Sequence, residues 1–407
     1  MQHETRRTTK APSRWRAWAA GLALVLVMNA ADQARAAGAE WNPLVERLAT
    51  DGFDPVETMA IFARPAAAFD ASAMGAKMLD LFRAKFGSTL LKKIQTRLDE
   101  LGYDPGEADG KASSKTRRAI RGFQMVQGLP IDGQSSDKLL TLLLQTKERA
   151  PEGFALPEPE PAREGPQVYR SVLSAERMAE AREFYKKHKP LLDEVDKTYG
   201  IPPEIAVGLL AVETRVGKFL GDRNALVALA SMAASADPAV FSPFLGYEEL
   251  TPERLEWLTE RARQKADWAY AELKGLLTYC RTNRIDPLAV PSSIYGAIGI
   301  CQFMPTNALK YGVDGNRDGI VDLFNVEDAV HCLANYLVHH GWKGDTSSLA
   351  KQRRALYNYN HSTIYVNTIL AVADELRGAT AAPKKPSTAP DKQKPAGKKK
   401  KKTNKKS

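Results

Sequence analysis

The sequence predicts a mainly α protein: a large helical body with a smaller compact unit set into its N-terminal half. Three observations predict it. Apolar residues recur at helical spacing over most of 41–86 and 169–376. A shorter stretch, 90–145, carries two Asp-Gly turn signals, Asp109-Gly110 and Asp132-Gly133. The chain has 407 residues, 43% of them hydrophobic, enough for a sizeable core and two folded units.

Taken in order, residues 1–36 read as a secretory signal peptide. Arg6, Arg7, Lys10, Arg14 and Arg16 form a basic start, Ala17 to Met28 an apolar run, and Ala34-Arg35-Ala36 a small-x-small cleavage site. An uncleaved anchor is the structural alternative, although the run is short for a membrane span. Residues 37–87 form a helical segment with Leu44, Leu48, Met59, Phe62, Phe69, Met78, Leu79 and Leu81 as core candidates. The compact unit occupies 88–148, and a Pro- and Glu-rich linker 149–167. The helical body spans 168–378. The tail, 379–407, has a Pro, Ala and Lys composition that forms no core and is expected to be disordered.

The formal net charge of +10 is an end effect. The tail alone carries a net +10 and residues 1–36 a net +4, leaving the body at −4. The Lys-rich tail suits anionic envelope polymers as partners, or is a solvated end without function. Export argues against nucleic acid. Cys280, Cys301 and Cys332 are too few for a disulfide framework; one bridge stays open in an oxidising compartment, and otherwise they are read as small buried hydrophobes. None has zinc-ligand spacing with the six His, so no zinc site is expected.

Glu213 is the first candidate for chemistry. Ile205, Leu209 and Glu213 recur every four residues and stack on one helix face, with Pro202-Pro203 suited to the helix start. A carboxyl on an apolar row is costly to ionise, which raises its pKa as a general acid requires. The bland alternative pairs Glu213 with Arg215 or a distant base. A second motif, Asp314-x-Asn316-x-Asp318-Gly319-Ile320, is a calcium-loop signature, with oxygens at positions 1, 3 and 5, Gly at 6 and a backbone carbonyl at 7. Position 12 is Asn325 rather than the usual Glu.

The run Ile94-Gln95-x-x-Leu98-x-x-Leu101-Gly102-Tyr103, with Gly106-x-x-Asp109-Gly110, Thr116-x-x-Ala119-Ile120-x-x-Phe123-Gln124 and Gly128-Leu129-x-x-Asp132-Gly133, resembles a small three-helix peptidoglycan-binding domain. The resemblance puts Leu98, Leu101, Ile120, Phe123 and Leu129 in its core and an Asp-Gly pair in each tight turn. Ser113 stands where a second Gly is usual.

Val212-Glu213-Thr214-Arg215-x-Gly217 is followed by Gly296-Ala297-Ile298-Gly299-Ile300-Cys301-Gln302-Phe303-Met304-Pro305. Ala334-Asn335-Tyr336-Leu337 and Tyr359-Asn360-His361-Ser362-Thr363-Ile364-Tyr365 come later. In that order they resemble the lytic murein transglycosylase B family, whose catalytic core is helical and goose-lysozyme-like. The match covers most of 169–376, and residues near Gly52-Phe53-Asp54-Pro55 are similar to the family's N-terminal helices. The resemblance implies that 37–87 and 168–378 make one catalytic domain with the binding unit inserted.

What the resemblance implies for function is specific. Peptidoglycan glycan strands would be cut between N-acetylmuramic acid and N-acetylglucosamine without water, leaving 1,6-anhydro ends. Glu213 would serve as the single general acid and base. Ser293, nine residues before Gln302, would bond the N-acetyl group or Glu213. Gln302, Tyr336, Tyr359, Asn360, Tyr365 and, by looser alignment, Tyr169 would contact substrate. A family loop places its last acid at Asp328, so one structural Ca2+ is expected on Asp314, Asn316, Asp318, the Ile320 carbonyl and Asp328. No organic cofactor is implied, and the location would be periplasmic, associated with the wall.

The departures are local. Residues 236–263 look longer than in the family, and a basic pair expected near Lys265 is only Gln264-Lys265. The stretch 342–355 is short, which removes a subdomain found in some relatives. Two other functions stay open on the sequence: a non-catalytic wall-binding scaffold on the same fold, and a lysozyme-like hydrolase.

Overall fold

Helices dominate the structure, a computed structural model that describes residues 39–155, 165–246, 248–342 and 348–380. The expected export segment 1–36 and the tail beyond 380 lie outside the described residues. The chain begins with α1 (Asn42–Thr50), α2 (Pro55–Phe62) and α3 (Ser72–Phe86), then α4 (Thr89–Glu100), α5 (Ser114–Val126) and α6 (Asp137–Gln145). Next come α7 (Ala175–Lys187), α8 (Lys189–Tyr199), α9 (Pro203–Thr214), β1 (Arg223–Asn224), α10 (Ala225–Ala234), α11 (Pro238–Phe241) and the long α12 (Pro252–Asn283). The chain continues through β2 (Pro291–Ser292), α13 (Pro305–Tyr311), α14 (Val326–His339), α15 (Leu349–Tyr359) and α16 (Thr363–Thr380). The last helix runs two residues past the boundary read at 378. Among the described residues no helix is long and apolar enough to cross a membrane.

The apolar side chains gather into two cores. The larger takes Trp41, Leu48, Phe62, Met74, Met78 and Phe82 from the first three helices and joins them to Leu192, Ile205, Leu209, Leu273, Leu333 and Ile369. Residues 41–82 and 172–376 therefore share one interior, although the smaller unit separates them in sequence. Of the N-terminal core candidates, Leu44, Leu48, Phe62 and Met78 are buried, while Met59, Phe69, Leu79 and Leu81 are partly buried against the same cluster. Trp41 closes that corner with its indole N–H on the Ala67 carbonyl at 2.8 Å.

The smaller core contains Ile94, Leu98, Leu101, Tyr103, Ile120, Phe123 and Leu143, with Leu129 partly buried beside it. A Ser opens each of its helices: the hydroxyls of Ser88, Ser113 and Ser136 accept from the N–H groups of Leu91, Thr116 and Leu139. Such a cap contributes about 1 kcal/mol. That role gives Ser113 a reason at the position where Gly is usual. The two Asp-Gly turns are held alike by buried glutamines. Gln95 accepts from Gly110 N–H at 2.7 Å, and Gln124 accepts from Gly133 N–H at 2.9 Å and donates to Asp132 at 2.7 Å.

The units meet at Glu248. Its buried carboxylate accepts from Arg83 Nε at 2.6 Å and from the Thr89 N–H at 2.8 Å, where α4 begins. The three cysteines are free and buried. Burial pushes the Cys280 and Cys332 thiols up to about 12.

Candidate active site

Glu213 sits next to last in α9, and the packing of α9 fixes where it points. Ile205, Ala206, Val207, Leu209 and Leu210 are fully buried, so the helix passes through the interior. Gly208 lets α16 lie directly against it, since a Cβ there would come within 2.8 Å of the Ile369 carbonyl. The helix then stops abruptly. Arg215 and Val216 take φ of 53° and 54°, and Gly217 follows at 88°. L side chains favour this left-handed region little, so the turn is held by its contacts. Thr214 supplies two of them. Its hydroxyl donates to the Ile300 carbonyl at 2.8 Å and accepts from Gly217 N–H at 3.0 Å. Arg177 adds a third, donating to the Ala211 carbonyl.

This turn separates Glu213 from Arg215. Arg215 is carried away from it and pairs with Glu180 at 2.7 Å and Glu176 at 2.9 Å. Glu213 instead accepts a hydrogen bond from the Tyr365 hydroxyl. Its residue surface stays partly accessible, yet the carboxyl is packed closely by protein atoms. Desolvation pushes its pKa up to about 7, with the Tyr365 bond acting in the opposite direction. No neighbouring carboxylate contributes to that shift.

A small β element lies beside α9, joined to its end by the Thr214–Ile300 bond. β1 and β2 pair antiparallel, Arg223 opposite Ser292, and the chain continues through bridges Ser292 to Ile298 and Ile298 to Phe303. Ser293 lies in this turn, its N–H on the Ala297 carbonyl at 2.9 Å and its hydroxyl accepting from Ala297 N–H at 3.1 Å. Gln302 adopts φ 50° and donates its amide to the Gly299 carbonyl at 3.0 Å. The turn packs tightly: a Cβ on Gly299 would meet Leu323 Cβ at 2.4 Å.

Aromatic rings close the third side. Tyr359 donates to the Cys301 carbonyl at 2.6 Å and lies nearly parallel to Tyr365, centroids 6.3 Å apart. Tyr336 meets Tyr359 edge-on at 4.9 Å and stacks on His340 at 3.8 Å. Burial holds the Tyr359 and Tyr365 phenols well above the usual range, so both remain protonated donors. Asn360 is exposed at the end of α15. Tyr169 is 41% exposed, tied by its backbone N–H to Thr368 and near enough to Tyr365 to influence its phenol.

The Asp314 loop is closed by its own backbone. Asp314 accepts from the N–H groups of Asp318 and Gly319 at 3.1 and 2.8 Å, and Asp318 from that of Ile320 at 2.9 Å. Asp328 is fully buried and accepts from Gly315, Asn316 and Asp322 N–H at 2.8, 3.2 and 2.7 Å. Among the described residues no group of three His, Cys, Asp or Glu is gathered about one point. The oxygen-only donor set still fits a hard cation. Among the described residues no Lys or Arg forms a salt bridge with Asp314, Asp318 or Asp328.

A family profile described as a transglycosylase SLT domain matches residues 124–352, and one described as a putative peptidoglycan binding domain matches 88–143. The chain belongs to the transglycosylase SLT domain family. The matched SLT region contains Glu213, Ser293, Gln302, Tyr336 and the Asp314–Asp328 loop, whereas Tyr359, Asn360 and Tyr365 lie past its end. The chain is 34% identical over 163 residues to the membrane-bound lytic murein transglycosylase B of Escherichia coli K12, a match covering 40% of this chain and 38% of that relative. Among solved structures, the E. coli lytic transglycosylase SLT35 in complex with calcium aligns at 21% identity and TM-score 0.42, covering 65% of this chain and 93% of that one. The soluble lytic transglycosylase SltB1 of Pseudomonas aeruginosa aligns at 21% and 0.43, covering 66% and 100%.

Three SLT-domain residues near Glu213 were not picked out as functional from the sequence. Thr214 stood inside a quoted motif but gave no sign of its bond to Ile300. Cys301 likewise stood inside a motif without any sign of its carbonyl accepting from Tyr359, and Arg177 carried no signal, because each acts across a fold contact.

Proposed function

We propose that the protein is a peptidoglycan lytic transglycosylase in which Glu213 acts alone as acid and base. The observation that carries the reading is a carboxyl raised to about 7 by desolvation, with the Tyr365 phenol as its donor and, among the described residues, no charged group contributing to the shift. At neutral pH about half of such groups hold a proton, which suits donation followed by uptake. Protonated Glu213 gives its proton to the glycosidic oxygen as the bond to the muramyl C1 breaks. The substrate's N-acetyl oxygen stabilises C1. The Glu213 carboxylate then takes the proton of the muramyl C6 hydroxyl as that oxygen closes on C1, and no water is consumed. A retaining hydrolase needs a second carboxylate about 5 Å from the first, and among the described residues none contributes to the shift of Glu213.

Ser293 and Gln302 would serve as polar contacts for the sugar, and Tyr336, Tyr359 and Tyr365 would offer ring faces and hydroxyls. Asn360 and Tyr169 belong to the rim. Residues 37–87 and 168–378 make the catalytic domain and 88–148 the wall-binding unit, on a chain exported to the periplasm. Ca2+ on Asp314, Asn316, Asp318, the Ile320 carbonyl and Asp328 would brace the loop that follows α13. The test is mass analysis of muropeptides released from sacculi by wild type and Glu213→Gln. Products one water lighter than hydrolytic ones, absent with the variant, support the reading. Reducing ends would replace it with hydrolysis, and binding without products with a scaffold.

A further inference from the structure

Beside the turn that carries Ser293 lies a cavity of about 280 Å³ that the mechanism does not use. The start of α3, β1, α10 and Ile294 enclose it. Its apolar lining is small: Ala68, Ala73, Val227 and Ala228. Its polar lining includes Asp70, Ser72, Asp222 and Arg223. Asn224 lines it too, but its amide is committed to the Val227 N–H at 3.1 Å and the Leu288 carbonyl at 2.8 Å.

Two of these polar groups have bonding capacity that the fold leaves unused. The Ser72 hydroxyl is buried and, among the described residues, has no hydrogen-bond partner. Buried polar atoms are nearly always paired, so folding alone gives no reason for this one. Arg223 donates from Nη1 to Asp70 at 3.3 Å, and its Nε lies 3.9 Å from Asp222. Its Nη2 forms no hydrogen bond among the described residues. Asp70 is held in place by its own backbone N–H on Ser231 Oγ and by the Ser72 N–H on its carboxylate, each at 2.9 Å.

The chain ties this cavity to the candidate active site. Arg223 stands opposite Ser292 across β1 and β2, Ser293 follows, and Ile294 lines the cavity. One residue on, Tyr295 is covered by Lys77 of α3 at 4.7 Å. Gly221 lets the segment after Glu213 pass the Ser292 carbonyl, which a Cβ there would strike. The volume is at the small end of ligand sites, which begin at roughly 300 Å³, and suits one sugar ring rather than a peptide. Two carboxylates to one guanidinium oppose an anionic ligand. Mixed acceptors and donors suit sugar hydroxyls, and the alanines leave room for an acetyl methyl. We propose that the cavity is a further subsite for a neutral N-acetylated hexose of the strand that passes Ser293. The sugar hydroxyls bond Asp70, Ser72 and Arg223, and the acetyl methyl lies against Ala68, Ala73 and Val227. The inference rests on the proposed peptidoglycan substrate. Asp70, Ser72 and Ala73 lie outside the residues matched to the SLT domain, so the subsite depends on this chain's own N-terminal segment.

The test is binding, which needs no turnover. Full-length Glu213→Gln protein is titrated with N-acetylglucosamine oligomers of increasing length, alone and with Ser72→Ala or Val227→Phe added. Val227→Phe fills the cavity, whereas Ser72→Ala removes only the hydroxyl. In the parent, affinity should step up once an oligomer is long enough to pass from the cleft into the cavity. Val227→Phe should abolish the step, and Ser72→Ala should lower it about fivefold, the scale of one hydrogen bond. Short oligomers should bind all of these proteins alike. The urea midpoint of Ser72→Ala should equal or exceed the parent's, whereas a merely structural Ser72 would lower the midpoint and leave the step unchanged. No step in the parent, the same step in every variant, or an equal loss at every length overturns the subsite. Reducing ends from wild-type digestion of sacculi would sink the transglycosylase chemistry and leave the length comparison readable.

Discussion

Glu213→Gln should make the folded protein more stable at alkaline pH while removing its chemistry. The substitution keeps the shape of the side chain and an oxygen for the Tyr365 hydroxyl, and removes the ionisation. In the fold the carboxyl titrates near 7, against 4.5 for the ordinary group. A carboxyl raised in the folded state binds its proton more tightly there than in the unfolded chain. Its stabilising contribution is therefore complete below about 4.5 and is lost as pH rises through about 7. At 1.36 kcal/mol per pH unit, the interval corresponds to roughly 3 kcal/mol. Urea unfolding of both proteins at pH 4.5 and pH 8.5 measures it. The advantage of the Gln variant should grow by about that amount from the acid to the alkaline condition. Comparing the two proteins cancels the smaller core, which is identical in both. A difference that stays flat with pH would refute the desolvation argument and with it the assignment of Glu213 as a neutral-range acid.

The remaining predictions concern its surroundings. Tyr365→Phe removes the donor that favours the Glu213 carboxylate, so the alkaline limb of the pH–rate profile should move above about 7; movement to lower pH would contradict this. Thr214→Val leaves the Ile300 carbonyl and the Gly217 N–H without their shared partner, and denaturant unfolding should report a loss of roughly 1–3 kcal/mol. Gly208→Ala forces α9 and α16 apart at the Ile369 carbonyl and should cost about 1–3 kcal/mol by the same measurement, with a neutral result showing that the helices have slack. Calcium at a hundred times its dissociation constant should stabilise the wild type by about 2.7 kcal/mol. Asp318→Asn should weaken that response, and an unresponsive wild type would remove the ion from the account.

The helical class and most of the buried positions were legible because periodicity reports burial directly. The placement of Glu213 was legible for a related reason: a carboxyl in an apolar row has few ways to be satisfied. Its partner was not, since Arg215 is two residues away and only the left-handed turn shows that it faces Glu180. Contacts such as Thr214 to Ile300, Arg177 to Ala211 and Lys77 to Tyr295 join distant segments and leave no local pattern. Gln95 and Gln124 were visible as motif residues, but their role in locking Asp-Gly turns depends on the turns lying beneath them.

The sharing of one interior by residues 41–82 and 172–376 has a consequence for biogenesis. The first three helices cannot finish packing until the helices that complete the core, down to α16, have emerged from synthesis. The smaller unit has its own apolar centre and can fold while they wait, as domains do in N- to C-terminal order. Once folded, it fixes the separation of its own two ends. It thereby shortens the effective loop that the larger core must close, and loop closure becomes more unfavourable as the span grows. Mutations that loosen the smaller core, such as Phe123→Ala, should therefore slow maturation of a catalytic domain they never touch.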